Sequence, residues 1–346
     1  MKRRQSTITD IAKNLKIAPS TVSRALKDSP SISKDTKEAV NRVAKELNYK
    51  PNMLAVSLLN KETKIIGVMV PEITSYFFAT IINGIQDLLD EAGYKLIICQ
   101  SNESYEEEQK LIDTLSLSQV DGLLVSPASK TSDFSHFENF RAAGMPVVIF
   151  DRDCPDFEAD KVLVDDYDGA LQAVSYLLAS GCRRIAHIAG PQNLTTCQHR
   201  KQGYLDALTS FEGATLEPLI VEVEGFTSDF GEQGMEHLLE QGDYPDAIFA
   251  INDAVAIGAM AIIRKKDLKI PDDISVVGFD DEPYSQYFHP SLTTVWQPVY
   301  DLGVLSARLL LKQLRQTSEV SPISYRFELL KPELILRDSS KKIPMD

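Results

Sequence analysis

The chain has 346 residues, with 36 Lys and Arg against 50 Asp and Glu and a formal net charge of −14. An acidic balance of this size argues against a uniformly basic nucleic-acid binder, and the length exceeds one comfortable hydrophobic core. The four cysteines, Cys99, Cys154, Cys182 and Cys197, form no CxxC pair, which excludes a disulfide framework or zinc ribbon and predicts buried thiols in a reducing compartment.

Charge is unevenly placed. Residues 1–64 hold 14 Lys and Arg and 6 Asp and Glu, a net of +8, so the remainder carries −22. A basic head on an acidic body suits a chain whose head neutralises phosphates while its body stays off the polyanion. Lys2, Arg3 and Arg4 suit either phosphate and minor-groove contact or a solubilising tail.

Residues 7–26 read as two short helices around a tight turn. Thr7 stands at an N-cap position with Asp10 three residues on, the spacing of a capping box. Ile8, Ile11, Ala12 and Leu15 mark one buried face. Pro19 ends that helix by Lys16 and suits the first turn of the next. Val22, Ala25 and Leu26 face inward there, leaving Ser20, Thr21, Ser23, Arg24 and Lys27 outward. A third helix opens at Ser33, with Asp35 and Glu38 near its positive end and Val40, Val43, Ala44 and Leu47 as its stripe.

Pro51 ends the third helix and Asn52 is placed to cap a short, apolar one through Leu59. A helix of two turns is marginal alone in water. It either packs on the body as a linker or is ordered by nucleic acid, with Leu58 as a wedge between base steps.

The body alternates strand and helix. Strands are predicted at 64–71, 95–99, 120–125 and 147–150, then 185–189, 219–223, 247–251 and 275–279. Helical patterns run from Phe78 to Glu91 and Tyr105 to Leu117. This rhythm predicts an α/β body of two lobes with parallel sheets. Ligands of such sheets bind beyond the carboxyl ends of the strands. The residues there are Ser75 to Phe78, Asp151 and Arg152, Gly190 to Arg200, Phe226, Asn252 and Asp253, and Asp280 and Asp281. The aromatic faces suit a sugar ring or a stacked base, short acids and amides suit neighbouring hydroxyls, and an Arg fork can bridge two oxygens.

The words Thr7-Ile8-Thr9-Asp10-Ile11-Ala12, Ser20-Thr21-Val22-Ser23-Arg24-Ala25-Leu26 and Leu47-Asn48-Tyr49-Lys50-Pro51-Asn52 occur in order. Ser75-Tyr76-Phe77-Phe78, Asn252-Asp253-Ala254, Val276-Val277-Gly278-Phe279-Asp280-Asp281 and Leu292-Thr293-Thr294-Val295 follow. Together these make the chain resemble the LacI/GalR family of transcription regulators over nearly its whole length. The resemblance implies a helix-turn-helix head, a hinge helix and a two-lobed body like a periplasmic binding protein. It divides the chain into a reader (1–50), hinge helix and linker (51–62), effector-binding and dimerisation body (63–338) and tail (339–346). Lobe one would be 63–161 with 295–338, and lobe two 162–294.

By the resemblance, Pro19, Ser20 and Arg24 read the major groove, with Arg24 suited to a guanine edge. Thr7, Thr21, Ser23 and Lys27 complete the head's DNA contacts, and Asn52, Ala55 and Leu58 meet the minor groove. Effector contacts map to Phe77 or Phe78, Asp151, Arg200, Phe226, Asn252 and Asp280. Plainer roles compete: core for Phe78, a loop cap for Asp151, a helix cap for Asn252 and structure for Asp281. Ala18 stands where the family usually caps the recognition helix with Ser, and Pro19 has no donor. The implied partners are near-palindromic operator DNA, a second copy of the chain and a small effector, most often a sugar or sugar derivative, with a nucleobase as alternative.

No HExxH, P-loop, dinucleotide fingerprint or motif-defined nucleophile appears, so no catalytic residue, metal or cofactor is assigned. The other rival is a non-catalytic soluble sugar-binding protein. It would need an export signal, and residues 1–30 contain no apolar core of one, so the expected compartment is the cytoplasm.

Overall fold

The computed structural model describes residues 6–49, 62–211, 216–240, 244–315 and 325–344. The segment read as a hinge helix, with Asn52, Ala55 and Leu58, lies outside them. Two compact units result, Met1–Lys64 and Ile65–Asp346.

The first unit is a three-helix head: α1 (Ile8–Leu15), α2 (Pro19–Leu26) and α3 (Lys34–Glu46). Its core is Ile11, Ala12, Val22, Ala25, Val40 and Val43, the positions helical spacing selects. At the start of α1 the Asp10 carboxylate accepts the Thr7 amide at 2.8 Å and the Thr7 hydroxyl at 2.9 Å. Lys16 turns left-handed at φ 54° and closes α1. Ala18 leads α2 without a side-chain cap, and Pro19 takes its first turn. Ser33 caps α3 by accepting the Thr36 amide.

The second unit has two six-stranded sheets. The first holds β1 (Ile65–Val70), β2 (Lys95–Gln100), β3 (Gly122–Val125), β4 (Val147–Phe150), β5 (Asp160–Val164) and β11 (Phe327–Leu330), in the order β11-β5-β4-β3-β1-β2. All its pairings are parallel. The second holds β6 (Ile185–Ala189), β7 (Leu219–Glu222), β8 (Ala247–Ala250), β9 (Ser275–Asp280), β10 (Thr293–Trp296) and β12 (Glu333–Ile335), in the order β12-β10-β9-β8-β6-β7. Only β12 runs antiparallel to its neighbour. The central strands are buried end to end, as parallel sheets with two covered faces require.

The helices are α4 (Tyr76–Glu91), α5 (Tyr105–Leu117), α6 (Ser135–Ala142), α7 (Asp166–Ala179), α8 (Thr195–Ser210), α9 (Ser228–Glu240), α10 (Asp253–Lys265) and α11 (Val299–Arg315). No helix among the described residues is long and apolar enough to cross a membrane.

The chain crosses between lobes three times: after β5, after β10 and between β11 and β12. Three details differ from the expected division. Residues 162–164 still belong to lobe one, because β5 runs to Val164 and pairs with β4 and β11. Val295 and Trp296 still belong to lobe two, because β10 pairs with β9. The segment 295–338 does not return whole to lobe one, because β12 pairs with β10 in the second sheet.

α4 and α11 approach closely through glycines. A Cβ at Gly84 would overlap the Tyr300 carbonyl, and one at Gly303 would overlap the Ile81 carbonyl. Gly303→Ala must push the two helix backbones apart, at a cost of about 1–3 kcal/mol. Thermal unfolding of the purified variant should show a clearly lower midpoint, and an unchanged midpoint would refute the contact.

Candidate functional site

The head presents its outward positions as expected from their spacing. Pro19, Ser20, Arg24 and Lys27 are exposed, and Thr21 and Ser23 are half-buried. Thr7 is exposed at the first cap. A basic, polar second helix with a bare first turn is suited to lie against a phosphate backbone.

In the body, the strand ends of the two sheets carry a buried charged cluster. Arg200, on the first half of α8, donates from Nε to Asp166 at 2.7 Å and from Nη1 to the Ile251 carbonyl at 2.5 Å. Its Nη1 also lies 3.9 Å from Asp280 Oδ1, and its guanidinium sits 3.6 Å from the centre of the Phe279 ring. Asp280, at φ 113°, accepts Gln297 Nε2 at 2.7 Å. Burial raises the Asp280 carboxyl well above its ordinary value, against the pull of Arg200. Burial raises Asp166 too, again opposed by Arg200.

From lobe one, Asp151 stands just past β4 at φ 66° and accepts the Ser126 hydroxyl at 2.9 Å. Burial pushes its carboxyl up to about 6, opposed by Arg152 next to it. Arg152 is buried and holds Glu103 through both Nη atoms. Phe226, partly buried in lobe two, lies 5.8 Å below the Arg152 guanidinium.

Several side chains do structural work. Asn252 caps α10 by accepting the Val255 amide at 2.9 Å and donates to the Phe226 carbonyl at 3.0 Å. It therefore fixes the backbone at Phe226 as well as opening a helix. Phe78 is buried in the core of lobe one, with Phe77 edge-on at 5.1 Å between ring centres. Asp281 is paired to Arg337 at 2.6 Å. Cys197 is on the same helix as Arg200, and burial pushes its thiol up to about 11, far from a nucleophile.

Sequence reasoning did not single out Asp166, Glu103, Ser126 or Gln297. Asp166 was visible as one of two acids at the first lobe crossing, but its pairing with Arg200 joins residues 34 positions apart.

Comparison with known proteins shows the family. Residues 7–52 match the family described as bacterial regulatory proteins, lacI family. Residues 174–340 match the periplasmic binding protein-like domain. The chain is 36% identical over 337 residues to the ribose operon repressor of Halalkalibacterium halodurans, covering 97% of each. This chain belongs to the LacI family. It is 33% identical to the Escherichia coli K12 repressor CytR, over 98% of this chain and 97% of that one. The Lac repressor dimer bound to operator and the anti-inducer ONPF superposes at a TM-score of 0.85 and 28% identity, over 97% of this chain and 99% of that one. The LacI-family chain is thus a DNA-binding transcriptional regulator with an effector-binding body, and these relatives are repressors, not enzymes.

One buried acid at the start of α10, next to Asn252, has no cationic partner in the bonds that hold it. Asp253 accepts the Glu282 amide at 2.8 Å, the Ser285 hydroxyl at 2.6 Å and the Thr294 hydroxyl at 2.5 Å. Gly278 leaves the room it needs, since a Cβ there would overlap Asp253 Oδ1. Burial pushes this carboxyl up to about 7. Between the ordinary carboxylate value of about 4 and that raised value, the folded state keeps a proton that the unfolded chain has shed. The contribution of Asp253 to stability therefore falls as pH rises through this window and is flat above it. His187 works the other way. Burial lowers it to about 4, so its contribution is lost as pH falls below the ordinary imidazole value. Comparing Asp253→Asn with the parent cancels His187. The midpoint deficit of the variant should shrink between pH 5 and pH 8, and a pH-independent deficit would contradict the raised carboxyl.

Proposed function

We propose that the chain works as a homodimeric repressor whose two heads grip a near-palindromic operator, and whose cleft binds a neutral, hydroxyl-rich ring of the sugar class. The observation that carries the effector reading is the charge of the cleft. Around it Asp151, Asp166, Asp280 and Glu103 face two guanidinium groups, Arg152 and Arg200. An excess of buried carboxylate disfavours a phosphorylated ligand and favours one that donates several hydroxyl hydrogens. Arg200 commits two of its five N–H groups in the bonds above, which leaves donors for a ring or hydroxyl oxygen. Phe226 offers an apolar face. The likeness to a ribose operon repressor supports the same class.

The mechanism follows from linkage. A ligand that prefers one lobe orientation shifts operator affinity by the ratio of its affinities for the two orientations. The likeness to a Lac repressor dimer bound to operator supports the assembly. The sequence of the hinge segment supports Leu58 as a wedge.

Thermal shift with neutral pentoses, hexoses and disaccharides, sugar phosphates and purines, with and without operator DNA, tests the effector. A neutral sugar should raise the midpoint, by about 2.7 kcal/mol of added stability at a hundredfold excess over Kd. A response confined to sugar phosphates would overturn the reading, and one confined to purines would replace it with the nucleobase reading. Arg200→Lys keeps the charge but loses the planar fork. It should lose the sugar response while operator retention persists in a gel-shift assay. On the DNA side, Leu58→Ala should weaken operator binding and reduce bending, with sugar affinity nearly intact; unchanged bending would refute the wedge. Arg24→Ala should cost about 1–3 kcal/mol and relax preference at one base position.

A further inference from the structure

A second charged group lies at the mouth of the cleft, and its connections run across the lobes. Glu103, in the loop after β2, accepts Arg152 Nη1 and Nη2 at 2.8 Å each and the Ser129 amide at 2.7 Å. Arg152 Nη1 also donates to the Pro127 carbonyl at 3.0 Å. These bonds tie the loops after β2, β3 and β4 into one rim on lobe one.

Two of the tied loops, those after β3 and β4, then reach lobe two. The Ser129 carbonyl accepts Asn193 Nδ2. The Asp153 amide donates to Thr195 Oγ1 at 3.3 Å. The Arg152 guanidinium sits 5.8 Å from the centre of the Phe226 ring, within cation–π range. Asn193 and Thr195 lead into α8, the helix that carries Arg200.

An Arg–carboxylate pair whose guanidinium is buried is weak evidence for stability, because desolvation offsets much of its attraction. What this pair does well is fix geometry, since its fork meets the carboxylate at two points. Here that geometry places a backbone carbonyl, a backbone amide and a guanidinium against three lobe-two groups at once.

We propose that Glu103 is a positioning residue for the cleft. It holds Arg152 and Ser129 in place so that the rim of lobe one clasps Asn193, Thr195 and Phe226, and the strength of this clasp sets how readily the cleft closes on its ligand. The proposal rests on the reading of the cleft as the effector site. It needs no ligand contact from Glu103 itself.

The test uses the full-length protein. Small-angle scattering without ligand reports lobe separation. Fluorescence of Trp296, the single tryptophan, reports the second crossing, since it ends β10. Calorimetric titration with D-ribose, and with D-glucose, reports the cleft. Glu103→Gln and the exposed Asn193→Ala should both increase the radius of gyration and shift Trp296 emission. Both should weaken the sugar that the parent binds by about tenfold, within the range of ordinary coupling. Glu103→Asp, which keeps the carboxylate, should recover some of each change. If Glu103→Gln fails to fold, Asn193→Ala decides alone, because its side chain is exposed in a loop. Variants with the parent's radius of gyration and emission overturn the clasp. Expanded variants of a parent that binds neither sugar uphold the clasp and tell against the sugar reading.

Discussion

Arg200 is a guanidinium out of water that stays charged, and the residues around it are arranged to meet that charge. Asp166 opens α7 beside it, the carbonyl of Ile251 extends β8 toward it, and Asp280 ends β9 near it. The Phe279 ring lies under its plane. One side chain thus fixes the relative placement of two helices and two strand ends, and those strand ends form the lobe-two half of the proposed effector cleft. Two acids face one cation there, and burial holds the Asp166 and Asp280 carboxyls at raised values. A ligand that supplies hydroxyl donors relieves that burden without adding charge.

The apolar cores respect the lobe boundary. Two clusters cover the two faces of the first sheet, and two cover the faces of the second. No cluster among the described residues mixes the lobes. Contact across the cleft is polar instead, through Ser129 and Asn193, Asp153 and Thr195, and Arg152 over Phe226. The crossings are pinned in the same way. Lys331 sits 2.7 Å from Asp165 and 3.8 Å from Asp168, and Gln172 reaches the Pro332 carbonyl. Hydrogen bonds of this kind contribute about 1 kcal/mol each, comparable to an ordinary coupling energy of about 1–3 kcal/mol. Lobes joined by dry apolar packing would reorient only at the cost of a cavity.

The head was legible because its signals are local. Thr7 with Asp10, Pro19 and Ser33 each act within one helical turn, and the structure uses all of them at helix starts. Most of the central strands were legible because burial on both faces leaves an unbroken apolar run. β5 and β10 were not read as strands although both are largely buried, and β11 and β12 were not read either. Phe327–Leu330 alternates between exposed and half-buried, and Glu333–Ile335 is three residues long, so neither leaves a run to read. Their edge positions explain both facts. The candidate site was half legible. Strand ends point to Asp151, Arg200, Phe226, Asn252 and Asp280, but no periodicity shows that Asn252 divides its amide between a helix cap and Phe226. The Glu103 and Arg152 pair is 49 residues apart in sequence, and only the sheet topology brings those loops together.

The two halves of the chain also differ in how salt acts on them. The head's cations, Arg24 and Lys27 among them, are exposed, so their attraction to phosphate weakens steeply as salt rises. The Arg152 and Arg200 guanidinium groups are buried, where counterions screen them little. Operator affinity and lobe geometry therefore respond to different variables. Ionic strength scales the grip of the head, while the clasp and the Arg200 cluster keep their geometry. A regulator built this way can lose affinity for DNA as salt rises and still retain the conformational preference through which a ligand acts.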